Sequence, residues 1–234
     1  MTWGGHVMKI VPEQAAGIVD LTLPVLPGQG RFGLDTQFET PITFDDSNWQ
    51  GSVFRMFCHS GTHVDAPVHF IRDTRTIDQA PLDRLVGRGW LFDLTAAGPA
   101  GAISAETLEA ADPGLQAGDM AILRTDWTDT NWGAERFVED SPYLTLDGAQ
   151  WLVDHGVKAI VYDFSEEFVV RNAGFRGEEC EVHHLILGSG VWNIEYVTNL
   201  GALRGPAVTI VALPLKLTGL DGSPARVIAF EEQS

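Results

Sequence analysis

Two cysteines in 234 residues are too few for a disulfide framework. A chain of this size with so little sulfur suits a reducing compartment, so a cytoplasmic setting is expected. Basic residues are scarce as well: 15 Lys and Arg stand against 32 Asp and Glu, a net charge of −17. Nucleic acid is therefore not an expected partner, because binding phosphate needs concentrated Lys and Arg. No run of about eighteen apolar residues is available to span a bilayer. Residues 1–9 lack the apolar segment of a secretory signal. A Gly-x-Ser-x-Gly elbow is missing, which removes the usual serine-hydrolase arrangement. Repeats and low-complexity tracts are absent too. What remains is an ordinary globular balance, 44% hydrophobic and 20% charged, in a length most simply read as one domain over residues 1–234.

Short runs of Val, Ile, Leu and aromatics, bounded by Gly, Pro or Asp, predict strands at 17–23, 53–58, 89–94, 120–124, 157–164, 208–213 and 225–230. Helices are expected at 104–111 and 145–155, each opening on a capping hydroxyl, Ser104 or Thr145, with Gly156 closing the second. A third, short helix is expected at 181–187, stopped by Gly188-Ser189-Gly190. More strand than helix, in mixed order, implies a compact α/β fold with a mixed sheet and flanking helices. Residues 24–41 and 126–142 read as long irregular loops of the kind that act as lids or binding loops. Phe32 and Phe38 in the first, with Asp126 and Trp127 at the end of a strand in the second, are candidate substrate-pocket residues. Capping the edge of the core is the alternative use of such aromatics. Asp163 and Ser165 also end a buried strand, where either a structural or a site role fits.

The densest chemistry lies in His59-Ser-Gly-Thr-His63-Val-Asp65-Ala-Pro-Val-His69-Phe70, which holds three of the seven histidines. Imidazole and carboxylate are the ordinary ligands of zinc and manganese. An extended His63-Val64-Asp65 puts His63 and Asp65 on one face and turns Val64 into the core. Pro67 disfavours helix before it. Gly61 allows the bend that brings His59 to the same point. His69 falls close by without having to bind. Cys58 adjoins the motif, and strand alternation turns it toward the core. Three ligands from one segment need completion from elsewhere, and 181–195 offers His183 or His184 with Glu195. The apolar neighbours Ile194 and Val197 bury that strand, so the Glu195 carboxylate must be paired, protonated or metal-bound. The spacing does not decide between His183 and His184.

His-x-Gly-Thr-His-x-Asp-x-Pro-x-His-Phe, residues 59–70, resembles the signature of the metal-dependent cyclase-like hydrolases, a superfamily containing bacterial kynurenine formamidases and isatin hydrolases. The likeness runs from about Val19 through the late His and Glu to Leu213–Arg226. It implies a mixed β/α fold forming homodimers or homotetramers, with His59, His63 and Asp65 as metal ligands. Asp65 would bridge if two ions bind, and His183, rather than His184, would join Glu195 on the second. The cofactor implied is zinc or manganese, one or two ions per subunit, and His69 matches the residue that shuttles a proton. One departure stands out: the formamidases carry Trp-Pro-Gly-Asp early in the chain, whereas Val25-Leu-Pro27-Gly28-Gln29 lacks the Trp and the Asp.

The expected activity is hydrolysis of an amide in a small, ring-containing substrate by metal-activated water, with lactone hydrolysis or metal-dependent cyclisation on the same scaffold as the alternatives. A non-catalytic metal-binding protein is the reading from a different class. A proton-shuttling His69 and a buried Glu195 exceed what simple storage needs.

Overall fold

The computed structural model describes residues 17–134 and 136–231; the N-terminal segment read above for a signal, 1–9, lies outside them. The main sheet has eight strands: β1 (Ile18–Asp20), β2 (His63–Asp65), β3 (Val86–Asp93), β4 (Met120–Arg124), β5 (Ala159–Tyr162), β6 (Trp192–Glu195), β7 (Ala207–Pro214) and β8 (Gly222–Glu231). Their pairing closes on itself. From β8 the neighbours run β7, β3, β4, β5, β6 and β2, and β2 pairs back onto β8. One edge of β8 is divided: residues 222–224 pair with β2, and 228–230 pair with the short β1. The steps β3–β4–β5–β6 are parallel and the others antiparallel, so the expected strand-rich α/β fold with a mixed sheet is present in barrel-like form.

Side-chain alternation builds two cores from one sheet. Val64, Met120, Ile122, Val161, Ile194, Ile210 and Val227 pack into a cluster fed by strands all around the ring. Their neighbours Phe92, Ala121, Leu123, Ile160 and Tyr162 face outward, onto helices α1 (Ala105–Ala111), α2 (Leu146–Asp154) and α3 (Glu181–Gly188). Ser104 and Thr145 cap α1 and α2 through their hydroxyls, and Gly156 takes φ +72° beyond α2. His155 closes α2 with its Nδ1 on the Trp151 carbonyl, 2.7 Å away.

Three expectations change. The strand read at 53–58 is Gly51–Arg55, and it pairs with Gln37–Ile42 in an exposed hairpin outside the barrel. The stretch 24–41 is less irregular than its Gly and Pro content suggests, holding a small pairing of Gly30–Arg31 with Leu34–Asp35 and most of that hairpin strand. Local turn residues mark chain reversals here and not a loop. The stretch 126–142 contains a short helix, Trp127–Asn131, whose N-cap Asp126 sits at φ +60°.

The segment leading into β2 is pinned from two sides. The Thr62 hydroxyl donates to the Tyr196 carbonyl at 2.7 Å and accepts from the Leu23 amide at 2.9 Å, fully inside the protein. Thr62→Val keeps the shape and orphans both backbone groups. It should lower unfolding free energy by about 1–3 kcal/mol in urea titration, the usual cost of unsatisfied buried groups. An unchanged midpoint would mean that the anchor contributes nothing.

Candidate metal centre

β2 and β6 are antiparallel neighbours with His63 opposite Glu195 and Asp65 opposite Asn193. Because Val64 and Ile194 face the barrel interior, these four residues face the other side, toward α3. His59 reaches the same place from the turn before β2, where Gly61 has φ +67° and a Phe57 carbonyl to Ser60 amide bond reverses the chain. His183 arrives from the first turn of α3. Glu166 and Glu167 follow the end of β5, and Asp221 precedes β8.

Everything converges on Asp65, a fully buried carboxylate. Its Oδ1 lies 2.7 Å from His59 Nδ1 and 3.3 Å from His63 Nε2, while Oδ2 lies 3.6 Å from His183 Nε2. Glu195 stands between the last two rings, 3.6 Å from His63 Nε2 and 3.3 Å from His183 Nε2. The outer nitrogens of the same rings are held away from the centre. His59 Nε2 meets Asp221 Oδ2 at 2.9 Å, His63 Nδ1 meets the Gly61 carbonyl at 2.8 Å, and His183 Nδ1 meets Glu167 Oε1 at 3.1 Å. A ring donating its outer N–H to a carboxylate or carbonyl presents its inner nitrogen as a lone pair, which is how metal-binding histidines are oriented. Tyr162 donates its hydroxyl to Glu195 Oε1 at 3.0 Å, fixing that carboxylate too.

A divalent cation fits these residues. Ligands about 2.1 Å from a tetrahedral ion lie about 3.4 Å from one another, and the inner-atom separations above fall around that value. The sets His59–Asp65–His69, His63–Asp65–Glu195 and Glu166–His183–Glu195 each gather three ligand atoms within 4.8 Å. Asp65 Oδ2 and Glu166 Oε1 are buried without an aligned hydrogen-bond donor, and the Asn193 amide opposite Asp65 is buried with both atoms unpartnered. Buried carboxylate oxygens without donors, beside imidazole nitrogens, are acceptors that a bound cation would satisfy.

The electrostatics agree. Burial pulls the His59 imidazole down, but Asp65 and Asp221 outweigh it and hold it up at about 10. Burial likewise opposes protonation of His183, yet the Glu166, Asp65 and Glu167 carboxylates raise it well above the ordinary range. Glu166 is lifted to about 7 by burial and then by the Glu195 charge. These shifts share one cause, the crowding of buried carboxylates that favours positive charge at the centre.

The other candidates are scattered. His69 lies with its ring stacked on His59, centroids 3.9 Å apart, and its Nδ1 3.3 Å from Asp221 Oδ2. Phe32, at φ 56°, stands on the rim of the cleft over the centre, with Phe57 and Phe175 beside it. Phe38, Asp126 and Trp127 are not in that cleft. Phe38 sits on the exposed hairpin; Asp126 pairs with Arg124 at 2.7 Å; Trp127 is packed into the outer core with its Nε1 on the Phe137 carbonyl. His184 points away, onto the Gly177 carbonyl. Cys58 is half-buried in a turn and not in the core of a strand. Asp163 accepts from the Thr125 amide, the Thr125 hydroxyl and the Asp126 amide, a structural role, while Ser165 lines the cleft. Glu166, Glu167, Tyr162 and Asp221 were missed. Two acids inside the apolar run Phe164-Ser-Glu166-Glu167-Phe168-Val-Val carried the same signal that singled out Glu195. Asp221 sits in an unremarkable Gly-Leu-Asp-Gly turn.

A family model described as a putative cyclase matches residues 19–166. The chain belongs to this cyclase family. A kynurenine formamidase of Bacillus cereus is 27% identical over 214 residues, covering 90% of this chain and 95% of its own. One from Salinibacter ruber is 27% identical over 220 residues, covering 90% and 96%. Among solved structures, isatin hydrolase A from Ralstonia solanacearum superposes with a TM-score of 0.79 at 26% identity, covering 92% of each chain.

Metal binding should release protons. A raised His59 contributes ion-pair stability to the metal-free protein that is complete below about pH 6.5, its unfolded value, and is lost as pH rises through about 10. Binding at pH 7–8 must displace that proton, so affinity should fall as pH falls. Calorimetry in two buffers of different ionisation heat should register at least about one proton released per chain. Zero release would contradict a protonated, metal-free centre.

Proposed function

We propose that this chain is a metal-dependent hydrolase that opens the C–N bond of an amide in a small, ring-bearing substrate. The observation that carries the reading is the set of three imidazoles, each fixed from outside, whose inner nitrogens meet at Asp65. In this reading His59, His63, Asp65, His183 and Glu195 hold a divalent cation, zinc or manganese, with Asp65 shared if two ions bind. The metal supplies Lewis acidity, polarising a carbonyl and making water a nucleophile at neutral pH. The relatives named above, formamidases and an isatin hydrolase, support amide chemistry on this scaffold.

The chain's own groups supply the rest. His69 is the most exposed of the four central imidazoles, its side chain about 24% accessible, so it meets both solvent and substrate. With Nδ1 toward Asp221, its Nε2 takes a proton in this reading as water adds to the carbonyl carbon. It returns that proton to the nitrogen as the C–N bond breaks. The cleft, about 190 Å³, has aromatic walls of Phe32, Phe57, Phe70 and Phe175 that suit a flat ring. Tyr196, 5.5 Å from the His63 ring, lines both this cleft and a neighbouring cavity of about 330 Å³ bordered by Trp132 and Phe137.

Assembly into dimers or tetramers is part of the same proposal. The hairpin of Gln37–Ile42 and Gly51–Arg55 exposes Phe38, Val53 and Phe54, with Phe44 and Trp49 between the strands. So much apolar surface in one place suits a subunit contact. The unpaired Cys58 and Cys180 suit a reducing cytoplasm.

Purified protein loaded with Zn or Mn should hydrolyse N-formylkynurenine, isatin or a related cyclic amide, and lose activity on chelation; full activity after exhaustive chelation would overturn the proposal. His69→Asn should lower kcat by about 10²–10⁴ while metal content stays unchanged. Unaltered turnover would remove His69 from the mechanism. Light scattering should give a dimer or tetramer, and Phe54→Asp should shift it toward monomer; a monomeric parent protein would end the assembly claim.

A further inference from the structure

We infer that Glu166 is itself a cation ligand, forming with His183 and Glu195 the seat of a second ion beside the one held by His59, His63 and Asp65. This rests on the metal-dependent reading above and adds a ligand to it. Glu166 is buried, with Oε1 2.9 Å from His183 Nε2. Its Oε1, His183 Nε2 and a Glu195 oxygen lie within 4.8 Å of one another, a three-donor set of the size a small divalent ion spans.

A plain Glu166–His183 ion pair does not account for the arrangement. His183 Nε2 lies near three carboxylates, Glu166 at 2.9 Å, Glu195 at 3.3 Å and Asp65 at 3.6 Å, and Glu166 Oε1 still lacks an aligned donor. The ring is not free to turn toward Glu166. Glu167 Oε1 accepts the His183 backbone amide at 2.8 Å and faces its Nδ1 at 3.1 Å, which sets the direction of Nε2. Among the described residues, the ion-pair partners of Asp65, Glu166, Glu167 and Glu195 are histidines alone. Three carboxylates around one imidazole nitrogen leave buried negative charge that a single proton cannot balance. A divalent ion at their common point does so, and His183 then contributes a lone pair in place of a proton.

The two oxygens of Asp65 divide in the same way, Oδ1 toward His59 and His63, Oδ2 toward His183. That division accords with the shared Asp65 of the reading above. Two ions at +4 balance the four buried carboxylates Asp65, Glu166, Glu167 and Glu195.

The test is metal binding, read without activity. Chelator-stripped protein is titrated with Zn(II) or Mn(II) by calorimetry, and ions per chain are counted by elemental analysis. Glu166→Gln keeps the shape and removes the charge. It should abolish one equivalent or weaken it at least tenfold, and alter the visible spectrum of the Co(II)-substituted protein. The melting temperature of the metal-free variant should not fall, since a repelling charge has gone from a crowded site; a purely structural Glu166 would lower it. The exposed Glu39→Gln should change nothing. Should Glu166→Gln fail to fold, Glu166→Asp, with its shorter reach, should show the same weakening. Equal stoichiometry and affinity in parent and variant overturn the Glu166 assignment alone, whereas a parent protein that binds no ion overturns the metal-dependent reading with it.

Discussion

The buried charge of Asp65 is the constraint around which the rest of this protein is arranged. A fully enclosed carboxylate is expensive unless cations or donors surround it. Here the surroundings are His59, His63 and His183, drawn from a turn, a strand and a helix. Each brings an outer partner that stops its ring from rotating, and those partners are Asp221, the Gly61 carbonyl and Glu167. The centre is thus preorganised by two layers of polar contacts, which is what precise positioning of a metal and its substrate demands.

Barrel closure makes that arrangement possible. β2 is three residues long and would be a poor edge strand by itself. It is inserted between β6 and β8, and both its neighbours deliver site groups: Glu195 from β6, and Gly222 from β8 directly after Asp221. Gly222 is required for close approach, because a Cβ there would stand 2.7 Å from His59 Cε1. The interior face of the same three strands carries Val64, Ile194 and Ala225, so one set of backbone pairings supports a dry core on one side and a charged centre on the other.

Much of the centre was legible in the chain. His59, His63 and Asp65 lie within seven residues, and strand alternation alone places the last two together. Glu195 was legible because an acid among Trp192, Ile194 and Val197 has nowhere to put its charge. The same argument applied to Glu166 and Glu167, but their place after β5, and not on it, concealed that they were buried. Phe38, Asp126 and Trp127 show the converse failure: aromatics and an acid near strand ends look alike in sequence whether they wall a cleft, expose a hairpin or cap a helix. Only packing separates those cases.

The sequence by itself brought the cation-capable residue types close together along the chain and marked most of the main sheet's strands and the three capped or glycine-stopped helices. These depend on residue type and on spacings of two to four residues, which the backbone geometry of a single element translates directly. The tertiary structure alone decided the closure of the ring and the pairing of His63 with Glu195, 132 positions apart in register. It also decided that Asp221 serves both His59 and His69. Contacts between distant segments are set by how whole elements pack, and no local pattern encodes the distance between them.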